Sequence, residues 1–137
     1  MKEELLRAFI GEIWNEGNIE MIPEFVADTY TVFHDPGDPW DGKELSVAEF
    51  QERVTVSRAP IPDQRFDIQE LYKNDESVCI TWLWNGTHQG EIVGIAGTGK
   101  KLHMSGATVY YFADKKISGH WQIADRLGIF QQLNANQ

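Results

Sequence analysis

The spacing of apolar residues changes along the chain, and the change separates predicted helices from predicted strands. Leu5, Phe9 and Ile13 recur every four residues, which predicts an amphipathic helix at the N-terminus. A second, shorter helix is predicted over residues 19–26. A third helix is predicted to begin at Ser46, because a glutamate three residues later gives the spacing of a capping box.

The second half of the chain alternates instead with the period of two that is typical of strands. Between Val78 and Asn85, apolar residues alternate with their neighbours in this way. The predicted strands cover residues 30–34, 65–74, 78–85, 102–112 and 117–125. Helices followed by antiparallel strands predict an α+β fold in which N-terminal helices pack on a curved sheet. Residues 1–137 are expected to form a single domain.

Composition and charge narrow the classes of partner. The chain has 137 residues, of which 42% are hydrophobic, so it can build a core. Its formal net charge of −9 disfavours binding to nucleic acids and to anionic membrane surfaces. No apolar run is long enough to span a membrane, and the first residues lack the pattern of a signal peptide. We therefore expect a cytoplasmic protein with neither type of partner.

The glycine-rich segment Gly94–Lys100 has the glycine and lysine spacing of a phosphate-binding loop. However, Lys101 stands where a serine or threonine would contact magnesium, and the segment precedes a strand rather than a helix. The four histidines lack the spacing of a helical zinc site, and Cys79 is the only cysteine. We predict neither a metal nor a nucleotide cofactor.

The phase of the last strand makes Asp125 a candidate catalytic carboxyl group. Trp121, Ile123 and Asp125 share one face of this strand, and the two apolar side chains indicate that this face turns to the core. In a hairpin with the preceding strand, His103 and Tyr111 lie on the same side. An apolar environment raises the pKa of a carboxyl group towards the range useful for proton transfer.

A second interpretation of Asp125 is structural. An aspartate at the end of a strand commonly caps the helix that follows, here predicted over residues 127–133, and Asp125 can also pair with Arg126. The pattern alone fits both interpretations.

Trp82 and Trp84 share one face of a strand, and aromatic residues serve cores, interfaces and ligand pockets alike. Because two tryptophans fit a narrow pocket poorly, we predict that the outer face of this sheet forms a homodimer.

Several segments in order resemble one family, the SnoaL-like polyketide cyclases, also called ester cyclases. The resemblance rests on segments along nearly the whole chain: Asn15–Gly17, Phe33–Pro36, Arg58–Asp63, Gly86–Glu91, Gly94–Lys100, Lys116–Trp121, Asp125 and Gln131–Leu133.

The resemblance implies a nuclear transport factor 2-like cone, a cystatin-like roll in which a bent antiparallel sheet wraps around helices and leaves a deep pocket. It also implies ring closure of a polyketide by intramolecular aldol condensation, without a metal or cofactor. In such enzymes an aspartate near the end of the chain is the general acid/base, and Asp125 matches that position.

Other residues are candidates to assist Asp125. His103 is a candidate catalytic residue, and the candidates for substrate binding are Trp14, His34, Tyr111 and Trp121. The predicted ligand is a small hydrophobic carbonyl compound.

Three functions fit the sequence: an enzyme that moves an α-proton, a non-catalytic protein that binds a hydrophobic metabolite, and a dimerisation domain. The position of Asp125 favours the enzyme, and the lack of a second unmistakable acid or base favours the binding protein.

Overall fold

The computed structural model describes all 137 residues, with four α-helices and six strands. The helices are α1 (Lys2–Phe9), α2 (Ile22–Phe25), α3 (Val47–Arg58) and α4 (Arg126–Ala135). A π-helical segment, Ile10–Asn15, continues α1, and a 3₁₀ turn, Ile19–Met21, precedes α2. The strands are β1 (Val26–His34), β2 (Glu44–Ser46), β3 (Arg65–Lys73), β4 (Ser77–Thr87), β5 (Lys101–Ala113) and β6 (Lys116–Ala124).

The six strands form one sheet in the order β2-β1-β6-β5-β4-β3. The pairs are antiparallel except for β1 and β6, which are parallel, and β2 is a short strand that the sequence pattern did not predict. The predicted α+β class, with N-terminal helices packed against a curved and mainly antiparallel sheet, is confirmed.

Local sequence features set several element ends as predicted. Ser46 accepts a hydrogen bond from the amide of Glu49 at 3.1 Å, and the Glu49 carboxylate accepts one from the amide of Ser46 at 2.9 Å, which completes the capping box of α3. The turn between β5 and β6 is also at the predicted place, where Asp114 and Lys115 both adopt positive φ.

One face of the sheet packs against the helices and forms the core. Along β4, Val78, Ile80, Trp82 and Trp84 are all buried, while Leu83 on the opposite face is half exposed. The helices contribute the other side of this core, principally through α1, its π-helical continuation and α3. Burial of these apolar side chains is the main term that stabilises the fold.

Strand β1 contains an irregularity that decides which of its residues face inwards. Val32 pairs with His120 and His34 pairs with the next residue of β6, so β1 has one residue more than its partner at this point. Such a bulge reverses the alternation of the residues that follow it. Asp35, directly after β1, is consequently fully buried.

No helix of the protein is long and apolar enough to cross a lipid bilayer.

Gly106 of β5 provides the space in which the Trp82 indole lies. A Cβ at this position would overlap the indole and lie 2.7 Å from the carbonyl oxygen of Ile123. We expect Gly106→Ala to lower the free energy of unfolding by about 1–3 kcal/mol, measured by urea denaturation, because the indole or the backbone must shift.

Gly11→Ala is the matched control. A Cβ at Gly11 has nothing within 4 Å, and the residue lies in a helical segment, so this change should be neutral or stabilising by up to about 1 kcal/mol. Equal effects of the two substitutions would contradict the tight contact at Gly106.

Candidate functional site

A cavity of about 150 Å³ lies between the inner face of the sheet and the helices. Its aromatic lining is formed by Trp14, Phe66, Trp82, Trp84 and Tyr110, beside Ser57, Gln64 and Met104. Polar groups cluster at one end, formed by Tyr30, Asp38, Arg53, His120, Gln122 and Arg126. The Arg126 side chain is 33% exposed, so it marks the side on which the cavity meets solvent.

Asp35 is the centre of the polar end. Its carboxylate accepts hydrogen bonds from His120 Nε2 at 2.8 Å, Arg126 Nη1 at 2.8 Å and Gln122 Nε2 at 3.2 Å. Arg53 Nη2 lies 3.4 Å from the same carboxylate and 3.1 Å from Asp38. These donors come from β6, α3 and α4, so one buried carboxylate connects three elements of the fold.

Burial opposes the ionisation of Asp35, but the hydrogen bonds from His120 and Arg126 outweigh it and lower the pKa of Asp35 to about 2. The carboxylate is therefore charged at neutral pH. With this low pKa and so many donors, Asp35 is a poor proton acceptor, and it acts to orient its partners.

His120 is neutral at neutral pH. Burial lowers its pKa, and the Asp35 hydrogen bond, which favours the charged imidazole, only partly offsets this. A neutral imidazole has one N–H, and the carboxylate of Asp35 requires it on Nε2. Nδ1 is then the acceptor for the Tyr30 hydroxyl, at 2.5 Å. Tyr30, His120 and Asp35 thus form a continuous hydrogen-bonded chain.

The two tryptophans of β4 belong to this cavity. Trp82 Nε1 donates to Thr108 Oγ1 at 2.9 Å, and Trp84 Nε1 donates to Gln64 Oε1 at 3.3 Å. The expectation that both tryptophans lie on an outer dimer face is wrong. Each indole N–H has a polar partner inside, so the interior accommodates both rings.

Asp125 lies outside the cavity. β6 has the predicted phase, but Trp121 and Ile123 are 42% and 48% exposed, so their face is the outer one. The Asp125 carboxylate is exposed and accepts a hydrogen bond from the amide of Gly128 at 2.9 Å, which caps α4. The predicted inward orientation of Asp125 is therefore wrong, and the capping interpretation describes its contacts.

The physical reason lies on the opposite face of the same strand. His120 and Gln122 point inwards although they are polar, because Asp35 offers them a charged partner. Apolar side chains normally identify the buried face of a strand, and here that rule selects the wrong face.

Four other predicted site residues also lie on the outer face. His103 is exposed, and its backbone pairs with the Gln132 side chain through bonds of 2.8 and 2.7 Å. His34 stacks on Trp121 with ring centroids 4.4 Å apart. Tyr111 packs edge-on against Phe33. Among the predicted substrate-binding residues, only Trp14 lines the cavity, where its ring contacts Phe50 and Phe66.

None of the polar residues that line the cavity is among the site residues predicted from the sequence. One available signal was Arg53, which lies among the apolar positions of α3 and is 5% exposed. A charged residue at a core-facing helical position requires a buried partner. The partner, Asp35, directly follows the predicted strand over residues 30–34, and the bulge in β1 that turns it inwards cannot be identified from the sequence.

No group of three or more His, Cys, Asp or Glu side chains is arranged to hold a metal ion.

The lowered pKa of Asp35 predicts that the free energy of unfolding falls at acidic pH. The pKa of this group is about 2 in the folded protein against 3.8 ordinarily, so the carboxylate contributes about 2 kcal/mol above pH 4. This contribution is lost as the pH falls towards 2. A ¹³C NMR titration of the Asp35 carboxyl carbon in the folded protein should show its midpoint well below the ordinary aspartate value of 3.8. A midpoint at or above that value would contradict the network.

Comparison with known proteins identifies the family. The family model for the SnoaL-like polyketide cyclases matches residues 4–133. A structure of a putative polyketide cyclase from Acidithiobacillus ferrooxidans is 53% identical, with a TM-score of 0.95, over 99% of this chain and 96% of that chain. A search of curated proteins found no match.

More distant structures share the fold. IdmH, a putative polyketide cyclase from Streptomyces antibioticus, is 22% identical with a TM-score of 0.82, over 98% of this chain and 99% of that chain. AclR, a putative hydroxylase from Streptomyces galilaeus, is 18% identical with a TM-score of 0.80, over 98% of this chain and 96% of that chain. Together with the family match, they identify the fold as nuclear transport factor 2-like. The chain belongs to the SnoaL-like polyketide cyclase family.

Proposed function

We propose that the protein is a cofactor-free enzyme of the cyclase or isomerase type that moves a proton on a hydrophobic carbonyl compound. The observation that carries this proposal is the Tyr30–His120–Asp35 chain at the polar end of an aromatic cavity. In this proposal His120 and Tyr30 carry the proton, rather than Asp125.

The chain can carry a proton without building an isolated charge. The Tyr30 hydroxyl proton passes to Nδ1 of His120 while the Tyr30 oxygen takes the α-proton of the substrate. Substrate C–H breaks to give an enolate, and the imidazolium that forms is paired with the Asp35 carboxylate. Burial raises the pKa of Tyr30, so a free tyrosinate is disfavoured and the two transfers must occur together. Return of the proton to carbon or oxygen restores the starting state.

The shape of the cavity supports an aromatic or unsaturated substrate. Flat rings pack well against indole and phenyl faces, and the polar groups at one end orient the reacting atoms. Engineered apolar cavities of about 150 Å³ hold benzene, so one ring of a larger substrate fits, with the remainder extending past Arg126.

The test is α-proton exchange in D₂O with a panel of aryl ketones and 1,3-diketones, followed by ¹H NMR. We expect exchange by the native protein, slowed about 10²–10⁴-fold by Tyr30→Phe and by His120→Asn, because each breaks the chain. Circular dichroism of both variants checks that they fold.

Asp125→Asn is the matched control. Because Asp125 is exposed on the outer face and asparagine caps a helix about as well as aspartate, exchange and stability should stay unchanged. Exchange that survives both cavity substitutions, or that is abolished by Asp125→Asn, would overturn the assignment of the proton carrier.

A non-catalytic binding protein is the second candidate function. The observation that favours it is that both ring nitrogens of His120 already have partners in the folded chain, and Tyr30 is almost fully buried. Buried polar networks of this kind also serve to specify a core. Saturable binding of the same panel without any exchange would support this function.

We also propose that the outer face of the sheet forms a homodimer. With Trp82 and Trp84 inside, the apolar residues that remain exposed on that face include Phe33, Leu83, Trp121 and Ile123. An apolar patch of this kind on a folded domain is typical of an interaction surface.

We expect light scattering at micromolar concentration to give twice the chain mass of 15.7 kDa. Trp121→Lys should shift the protein to the monomer, since it places a charge in the interface. Lys115→Glu, at an exposed turn, is the control and should leave the dimer intact. A monomeric native protein would contradict the proposal.

A further inference from the structure

Arg53 and Tyr110 both present hydrogen-bond donors to the cavity that have no partner in the chain. Arg53 uses only Nη2 for its ion pairs with Asp35 and Asp38. Its Nε is buried without a partner, and its Nη1 makes no hydrogen bond yet is not sealed off by other atoms. The Tyr110 hydroxyl likewise has no hydrogen-bond partner and is not sealed, although the residue is only 6% exposed.

By contrast, the side chains of His120, Gln122 and Tyr30 are all engaged in the network around Asp35. Donors that open into a cavity, and for which the fold supplies no acceptor of its own, are free to bind an acceptor atom of a ligand. The unused N–H of Arg53 at the cavity wall therefore points to such an atom.

We infer that Arg53 Nη1 and Tyr110 Oη bind one oxygen of the ligand, and that they favour this oxygen in its anionic, enolate-like form. This inference rests on the proposed function and names the oxygen site that the proton carrier would require. The oxygen site is separate from the chain of Tyr30, His120 and Asp35, in which Tyr30 and His120 carry the transferred proton.

Charge and burial support this assignment. Asp35 and Asp38 are matched by Arg53 and Arg126, so the polar end has no net charge and does not repel an anion. Burial raises the pKa of Tyr110 despite the opposing effect of the Arg53 charge, so this hydroxyl keeps its proton and remains a donor. The Arg53 guanidinium carbon lies 5.2 Å from the centroid of the Trp14 ring, which fixes its orientation.

Donors of this kind form stronger hydrogen bonds with a negatively charged oxygen than with a neutral one. Hydrogen bonds to an ionised oxygen are roughly twice as strong as those between neutral groups, and more so in a site that excludes water. The pair should therefore discriminate between a neutral carbonyl and an enolate, which is the difference that accelerates the removal of an α-proton.

The probe is a series of small substituted phenols of increasing acidity, whose ionised forms resemble an enolate. At fixed neutral pH, their affinity is measured by calorimetry and their ionisation in the complex by ultraviolet absorbance. We expect the native protein to bind the more acidic phenols more tightly and in ionised form. Tyr110→Phe should weaken phenolate binding about tenfold or more and leave the affinity for phenols bound in neutral form unchanged.

Tyr111→Phe is the matched control, because the adjacent tyrosine lies on the outer face and should have no effect. Arg53→Lys keeps the charge beside Asp38 but loses the planar donor group, and it should reduce the same preference. If Arg53→Lys does not fold, Tyr110→Phe alone decides. Equal affinity for acidic and weakly acidic phenols in the native protein, or an unchanged preference in Tyr110→Phe, would overturn the inference.

This experiment does not require turnover, so its outcome is separable from that of the proposed function. A preference for phenolate that depends on Tyr110, in a native protein that exchanges no α-protons, would support the oxygen site and overturn the proposed proton transfer. Proton exchange that depends on His120 without any preference for phenolate would do the opposite.

Discussion

A carboxylate sealed inside a protein must be surrounded by donors, and the burial of Asp35 imposes this condition on the elements around it. The side chain reaches the interior because a bulge in β1 reverses the alternation of that strand. Its donors come from β6, α3 and α4. The position of α4 at the end of the sheet therefore depends partly on Arg126, which bonds both Asp35 and the carbonyl oxygen of Pro36.

The same requirement divides the sheet into two faces of unusual character. The inner face of β6 carries His120 and Gln122, which would be costly to bury without the charge of Asp35. The apolar residues Trp121 and Ile123 occupy the outer face of that strand, where His34 of β1 stacks on Trp121. An inner surface that is part aromatic and part polar is suited to a small ligand with one reactive end, and an outer surface with exposed rings is suited to a protein partner.

Family membership and the geometry of the cavity support different conclusions about function. The match over residues 4–133 and the relative at 53% identity establish the family, while structures at 18–22% identity establish only the fold. One of those distant structures is described as a putative hydroxylase, so the fold alone does not name a reaction. The proposed proton transfer therefore depends on the hydrogen-bonded chain in the cavity of this protein.

The sequence by itself determined the features that depend on neighbouring residues. The capping box of Ser46 and Glu49, the turn before β6 and the period of β4 all follow from local backbone and side-chain preferences, and they gave the α+β class. The order of family motifs along the chain gave the family. The alternation of residues along the predicted last strand gave the correct phase of β6, including the shared face of Trp121 and Asp125.

Which face of β6 turns inwards was decided only by the tertiary structure. The hydropathy of a strand distinguishes its two faces but assumes that the polar one meets water. In this protein, the polar face of β6 meets Asp35, which a bulge in β1 turns towards the interior. Asp35 lies 85 positions before His120 in the chain. A contact between such distant residues leaves no periodic trace in the sequence, so the cavity and its hydrogen-bonded chain form only when the tertiary structure brings the strands together.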